Sequence, residues 1–320
     1  MKEALNLSHF AATQACLGES PVWDITRQTL FYIDIPLGAI YALKLDHPAR
    51  EIYRSARRVG ALALTQAGNL IFTEDAQVAL LELPSGRVIA RSTLASSDPS
   101  FRYNDGACCP QGSFVTGLID EKHSPHSGSL HRYGPGAERH ILQHDLGLPN
   151  GIAWSADGET MYYVDSVAQV IYQAEWCGQS AQWLNPCVFA RTPADLGRPD
   201  GIALDVDGNL WVCQFNGGCI LHYSRAGELL QKVNLPVPRP TSCCFGGEEL
   251  LTLYITSAKF GMSEDALLCY PLAGDVFQLQ APSAGLVPYR FDDRLWGDVF
   301  LTLLQRQDLA LCSDVMDAPP

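Results

Sequence analysis

The chain has 320 residues, 47% of them hydrophobic and 18% charged; that balance excludes a disordered chain and supplies enough apolar surface for one large core or two ordinary ones. Lys and Arg total 22 against 35 Asp and Glu, a formal net charge of −13, so a nucleic-acid backbone would be repelled and is not expected as a partner. No apolar run reaches the ~20 residues of a bilayer span, and Met1–Phe10 lacks the basic patch and apolar stretch of a secretory signal, so the expectation is a cytoplasmic protein without a membrane partner.

Along the chain, short apolar or alternating runs recur between turns rich in Gly, Asp, Asn and Pro: Leu30–Ile35, Asn69–Thr73, Thr160–Asp165, Asn209–Cys213 and Leu250–Thr256. Such runs predict short strands. Self-similarity organises them. Units start at Ser20-Pro21-Val22-Trp23, at Gly60-Ala61-Leu62-Ala63-Leu64, near Gly106, at Asn150-Gly151-Ile152-Ala153-Trp154, at Asp200-Gly201-Ile202-Ala203-Leu204 and at Thr241-Ser242-Cys243-Cys244-Phe245. The spacing of about 40 to 50 residues suits one four-stranded blade. A lone blade leaves both sheet faces bare, whereas a closed ring covers each with its neighbour. The expectation is an all-β, six-bladed β-propeller over residues 1–291 as a single domain. Residues 292–320 are read as a C-terminal extension with one apolar stretch, Val299–Leu304.

Asp157-Gly158 and Asp207-Gly208 lie between successive runs, where Asp-Gly supplies the positive φ of a tight hairpin. Pro149-Asn150-Gly151 and Pro199-Asp200-Gly201 instead lead into the first strand of their units. In a propeller that strand lines the central channel, so these side chains are expected to converge at one end of it. The same position carries Gly18-Glu19-Ser20-Pro21 in the first unit and Arg102-Tyr103-Asn104-Asp105-Gly106 in the third. Glu19, Asn104, Asn150 and Asp200 would bring two carboxylates and two amides together with no basic group among the four. Converging carboxylates repel unless protonated or bridged by a cation. An all-oxygen set suits Ca²⁺, Mg²⁺ or Mn²⁺, and Zn²⁺ also accepts carboxylate oxygen; a hydrogen-bonded polar plug is the alternative that periodicity leaves open.

Other motifs carry less. The eleven cysteines include no CxxC pair, and Cys108, Cys109, Cys243 and Cys244 in apolar segments read as buried free thiols. His123 and His126 have ligand spacing, but Pro125 between them breaks any shared helical face. No serine has a GxSxG context, and Trp23, Trp154 and Trp211 read as packing between blades.

The ordered motifs Gly18-Glu19-Ser20-Pro21-Val22-Trp23, Arg102-Tyr103-Asn104-Asp105-Gly106, Pro149-Asn150-Gly151-Ile152-Ala153-Trp154-Ser155, Arg198-Pro199-Asp200-Gly201, Arg239-Pro240-Thr241-Ser242-Cys243 and Tyr254-Ile255-Thr256-Ser257-Ala258 resemble the regucalcin, gluconolactonase and luciferin-regenerating-enzyme family of six-bladed propellers. The resemblance implies that Glu19, Asn150 and Asp200 ligate one divalent cation, that Asp200 is also the catalytic base, that Asn104 reaches the metal or the substrate, and that Arg102 binds substrate oxygens. Glu121 falls near a substrate-facing acidic position of that family, although Leu118-Ile119-Asp120 depart from its usual pattern. The implied activity is hydrolysis of a small sugar-acid lactone by a monomer or weak homodimer. A calcium-binding regulatory protein or a phosphotriesterase-type hydrolase using the same site is the alternative.

Overall fold

The described residues form six four-stranded antiparallel sheets, five of them each from one repeat unit and the sixth completed by a strand from before the first unit. The hairpins form where the sequence supplies the backbone for them: Gly158 and Gly208 adopt φ of 72° and 79° after Asp157 and Asp207, a region open to glycine at no steric cost. The computed structural model of the chain describes residues 5–122, 126–294 and 296. His123, Pro125 and the stretch Val299–Leu304 lie outside the described residues.

The innermost strands are Gly18–Asp24, Leu62–Leu64, Phe101–Cys108, Pro149–Trp154, Arg198–Leu204 and Pro240–Gly246. Each packs against the next, and the last packs against the first, so the ring is closed around an axis. The sixth blade departs from serial order. Its sheet runs Pro240–Gly246, Thr252–Ser257, Val276–Gln280 and, outermost, Leu7–Ala11. Leu7 pairs with Leu279 and His9 with Phe277, while Asp275 accepts from Gln14 N at 3.0 Å and meets His9 Nε2 at 2.8 Å. Closing a ring with strands from both chain ends makes opening it cost a full set of ladder bonds. The half-exposed edge strand Leu7–Ala11 has no alternating pattern in sequence, which is why the repeat reading begins only at residue 20.

Apolar clusters fill the space between neighbouring blades. The tryptophans sit there as expected: Trp23 stacks on Tyr254 with ring centroids 5.4 Å apart, Trp154 meets Trp176 edge-on at 5.4 Å, and Trp211 stacks on His222 at 3.9 Å. Cys108, Cys109 and Cys243 are buried free thiols, and Cys244 is half-buried. Among the described residues no helix is long and apolar enough to cross a membrane.

One end of the channel is covered by the chain that follows the last strand. Leu286 N donates to Leu204 O at 3.2 Å, Phe291 N to Leu64 O at 2.9 Å, and Asp292 N to Gly112 O at 2.8 Å. This segment therefore crosses from the fifth blade to the second and third. Phe291 and Trp296 are buried, and Trp296 Nε1 donates to Gly134 O at 3.2 Å. Above it lies an axial cavity of about 150 Å³, lined by Trp23, Ala63, Cys108, Trp154 and Phe245 and floored by Leu286–Tyr289.

Candidate functional site at the channel mouth

The opposite end of the channel is built differently. In five inner strands the pairing with the second strand slips at one place: between Glu19 and Val22, Tyr103 and Gly106, Asn150 and Ile152, Pro199 and Ile202, and Pro240 and Cys243. A bulge breaks the strict alternation of a strand and re-aims the residue at the slip. Glu19, Asn104, Asn150 and Asp200 all sit at such slips. Close approach of the strands fixes the residues that follow: a Cβ on Gly151 would lie 2.5 Å from Asp200 O, and one on Gly201 would lie 2.1 Å from Ser242 Oγ. The Asn-Gly and Asp-Gly pairs at the mouth are thus set by packing between inner strands, unlike the Asp-Gly hairpins.

Glu19, Asn150 and Asp200 are buried at 6%, 3% and 6% exposure. Asn150 Nδ2 donates to Asp200 Oδ1 and, at 3.2 Å, to Ser166 Oγ, while its Oδ1 accepts from Gly151 N at 3.2 Å. Burial, then the negative charges of Asp200 and Asp105, raise the Glu19 carboxyl well above its ordinary pKa. Burial and Asp105 do the same for Asp200, against the opposing pull of Asn150 and Arg102. These interactions place Glu19, Asp105 and Asp200 within electrostatic reach of one another. Asp105 itself is pushed up to about 6 by burial, with Gly106 and Gly151 N–H groups working the other way.

Arg102 is a buried side chain. Its Nε donates to Glu121 Oε1 at 2.6 Å, and its Nη1 donates to Asn104 Oδ1 at 2.8 Å and to Tyr103 O at 3.0 Å. Burial lowers its pKa, with Glu121 opposing. Asn104 Nδ2 donates to Pro149 O at 3.3 Å, tying the third blade to the fourth. Glu121 sits at the rim with its side chain 39% exposed and both oxygens engaged, one by Arg102 and the other by Arg58.

Two residues of this neighbourhood carry no assigned role in the sequence reading. Asp105 lies inside the Arg102–Gly106 motif, and only its burial and its charge acting on Glu19 and Asp200 mark it as part of the site. Ser166 follows Asp165, which caps the start of its inner strand by accepting from Gly147 N at 2.8 Å and Leu148 N at 3.1 Å. Asp34 does the same for Cys16 N and Leu17 N. That repeat of an acid closing the second strand was the available signal for the position next to it.

Among the described residues no group of three or more His, Cys, Asp or Glu side chains is placed to hold a metal ion. The candidate set is two carboxylates and an amide, with Asp105 beside them. Its chemistry fits a hard cation: buried carboxylates facing each other with one guanidinium nearby are costly, and a divalent ion offsets that cost. The Asn150 amide would ligate through Oδ1.

A family model described as the SMP-30/gluconolactonase/LRE-like region matches residues 17–259. The chain belongs to that family. Regucalcin of Danio rerio is 32% identical over 279 residues, spanning 86% of this chain and 94% of its own length; human regucalcin is 30% identical over 285 residues with the same coverage. Among solved structures, a calcium-binding protein, regucalcin, from Agrobacterium tumefaciens superposes with a TM-score of 0.85 at 23% identity, covering 90% of this chain and 98% of that one. A gluconolactonase from Xanthomonas campestris superposes with a TM-score of 0.70 at 19% identity, over 87% and 90% of the two chains. At those identities the structures establish the six-bladed fold. The SMP-30/gluconolactonase match contains every mouth residue described above and ends before the floor segment Leu286–Tyr289.

Proposed function

We propose that the chain is a metal-dependent hydrolase that opens a sugar-acid lactone to the free acid. The observation that carries this reading is the burial of Glu19, Asn150 and Asp200 at the slips of three inner strands, with Asn150 Nδ2 donating to Asp200 Oδ1, at the mouth of a closed channel. Glu19, Asn150 and Asp200 would hold one divalent cation, calcium, magnesium, manganese or zinc. Such an ion supplies Lewis-acid polarisation of the lactone carbonyl and stabilises negative charge developing on its oxygen.

The chain's own groups do the rest. Arg102 forks to hydroxyl oxygens of the sugar, and Asn104, fixed by Arg102 and Pro149, orients the ring beside it. Asp200 takes a proton from the attacking water as its oxygen bonds to the carbonyl carbon. The ring C–O bond then breaks, and Asp200 returns the proton to the departing hydroxyl oxygen.

A pH-indicator assay over a panel of sugar-acid lactones, with stripped protein reloaded with each cation in turn, tests the proposal. Acid release from one lactone, restored by one metal, is the expected result. Its relatives are named for calcium binding as well as for lactone hydrolysis. Tight calcium binding without hydrolysis of any lactone would therefore replace this reading with that of a calcium-binding protein.

A further inference from the structure

The rim between the second and third blades holds a charged residue with no place in the motifs. Arg58 lies just before the inner strand Leu62–Leu64, and its guanidinium is held at three points. Nε donates to Asp75 Oδ1 at 2.7 Å, Nη2 donates to Pro99 O at 2.8 Å, and Nη1 donates to Glu121 Oε2. Asp75 is anchored in turn by its backbone, its N donating to Arg58 O at 2.8 Å and its O accepting from Tyr103 N at 2.8 Å. Arg58 is thus clamped to both blades, with its side chain only 24% exposed.

Glu121 is the ion-pair partner of the buried Arg102, yet it sits on an exposed turn. A carboxylate there, held by one bond alone, would sample several rotamers in water. Arg58 removes that freedom by taking the second oxygen. With Oε1 on Arg102 and Oε2 on Arg58, each Glu121 oxygen has one lone pair committed to an arginine and a second left for a ligand hydroxyl. Glu121 serves as the shared counter-ion of the two arginines. Arg102, fixed at Nε by Glu121 and at Nη1 by Asn104, is held in one orientation.

We propose that Arg58 is a positioning residue for the substrate site, acting through Glu121 to hold Arg102 in its substrate-binding orientation. This rests on the lactonase reading of the same site. Loss of a charge-assisted bond that orients a binding group weakens binding more than chemistry, so Arg58→Gln raises KM by about tenfold while kcat falls by less than about threefold. Lysine keeps the charge but cannot reach Asp75, Pro99 and Glu121 together, so Arg58→Lys recovers only part of the loss.

The test is steady-state kinetics of the metal-loaded wild type, Arg58→Gln, Arg58→Lys, Glu121→Gln and the Arg58→Gln/Glu121→Gln double variant, on the lactone that the wild type turns over fastest. Melting temperatures and metal affinities are taken alongside. A double variant no worse than Glu121→Gln alone supports the proposal, because Arg58 then works only through that carboxylate. Independent, multiplying effects of the two changes overturn it, as does an unchanged KM in both Arg58 variants. If Arg58→Gln fails to fold, a wild-type KM in a folded Arg58→Lys overturns it equally. A wild type that hydrolyses no lactone with any cation sinks the lactonase reading and this role together, whereas an active wild type with multiplying effects sinks this role alone.

Discussion

The two ends of the channel are made by the same six strands and differ in almost everything else. At the mouth the strand pairing slips, buried carboxylates face one another, and an arginine network closes the rim. At the floor the pairing is regular, the lining is apolar, and residues 285–291 lie across the opening. The family model matches residues 17–259, which contain the whole mouth and end before residues 285–291. The difference teaches that the ring itself is indifferent to function: chemistry collects where bulges turn polar side chains toward the axis, and stability collects where the opening is sealed.

The largest expected effect breaks the mouth. Asp200→Ala removes a ligand and the base at once, and turnover of the lactone should fall about a thousandfold or more with the protein still folded. Glu19→Ala should act mainly on metal affinity, so that excess cation restores part of the rate. Full turnover by the Asp200 variant in chelator-treated buffer would refute the mechanism. Breaking the floor should do the reverse. Phe291 is completely buried, and Phe291→Ala should cost about 3 kcal/mol or more of stability, read by chemical denaturation, with KM unchanged. A changed KM would mean the two ends are coupled.

A third experiment separates site from scaffold within one strand. Arg102 and Asn104 serve the mouth, whereas Tyr103 between them turns into the blade, its hydroxyl 2.8 Å from His131 Nδ1 and from Tyr133 Oη. Ser129 Oγ lies 2.9 Å from His131 Nε2. Burial lowers the His131 pKa from 6.5 to about 4. The unfolded chain therefore binds a proton that the folded one refuses. Stability contributed by neutral His131 is intact above about pH 6.5 and is lost as pH falls toward about 4, by up to about 3 kcal/mol. Denaturation at pH 7 and pH 5 should show about 2 kcal/mol of that loss in the wild type and a flatter dependence in His131→Phe.

Much of this was legible in the chain. Fifty residues separate Asn150-Gly151-Ile152-Ala153 from Asp200-Gly201-Ile202-Ala203, and a repeat of that kind fixes both the blade and the position facing the axis. Glu19 and Arg102 were reachable because their motifs align with the same unit starts. What escaped needed three dimensions. Leu7–Ala11 has no periodic pattern of its own, since an edge strand is ordered by its partner Val276–Gln280. Asp105 is an ordinary acid in sequence, and its place in the site comes from the carboxylates the ring sets beside it; Glu121 was reachable from its motif position, but its pairing with Arg102 and Arg58 was not. Arg58 lies outside every motif, and only its bond to a carboxylate of the next blade distinguishes it.

The sharpest form of the comparison removes one hydroxyl from each end. Ser166 Oγ donates to Pro199 O at 2.6 Å and accepts from Asn150 Nδ2, deep in the mouth. Ser166→Ala leaves a buried carbonyl without this donor and removes one of the three bonds that hold the Asn150 amide. It should cost about 1–2 kcal/mol of stability and weaken metal affinity about tenfold. At the floor, Tyr289 Oη reaches Ser155 O and Ala156 O only at 3.4 Å each, and the ring is half-buried. Bonds that long contribute little, and water can replace them. Tyr289→Phe should therefore change stability by less than about 0.5 kcal/mol and leave kcat, KM and metal affinity where they were. Equal effects of the two substitutions on metal affinity would show that Ser166 does not hold Asn150 for its role, because the same deletion would then matter as much at an end that has no ligand to orient.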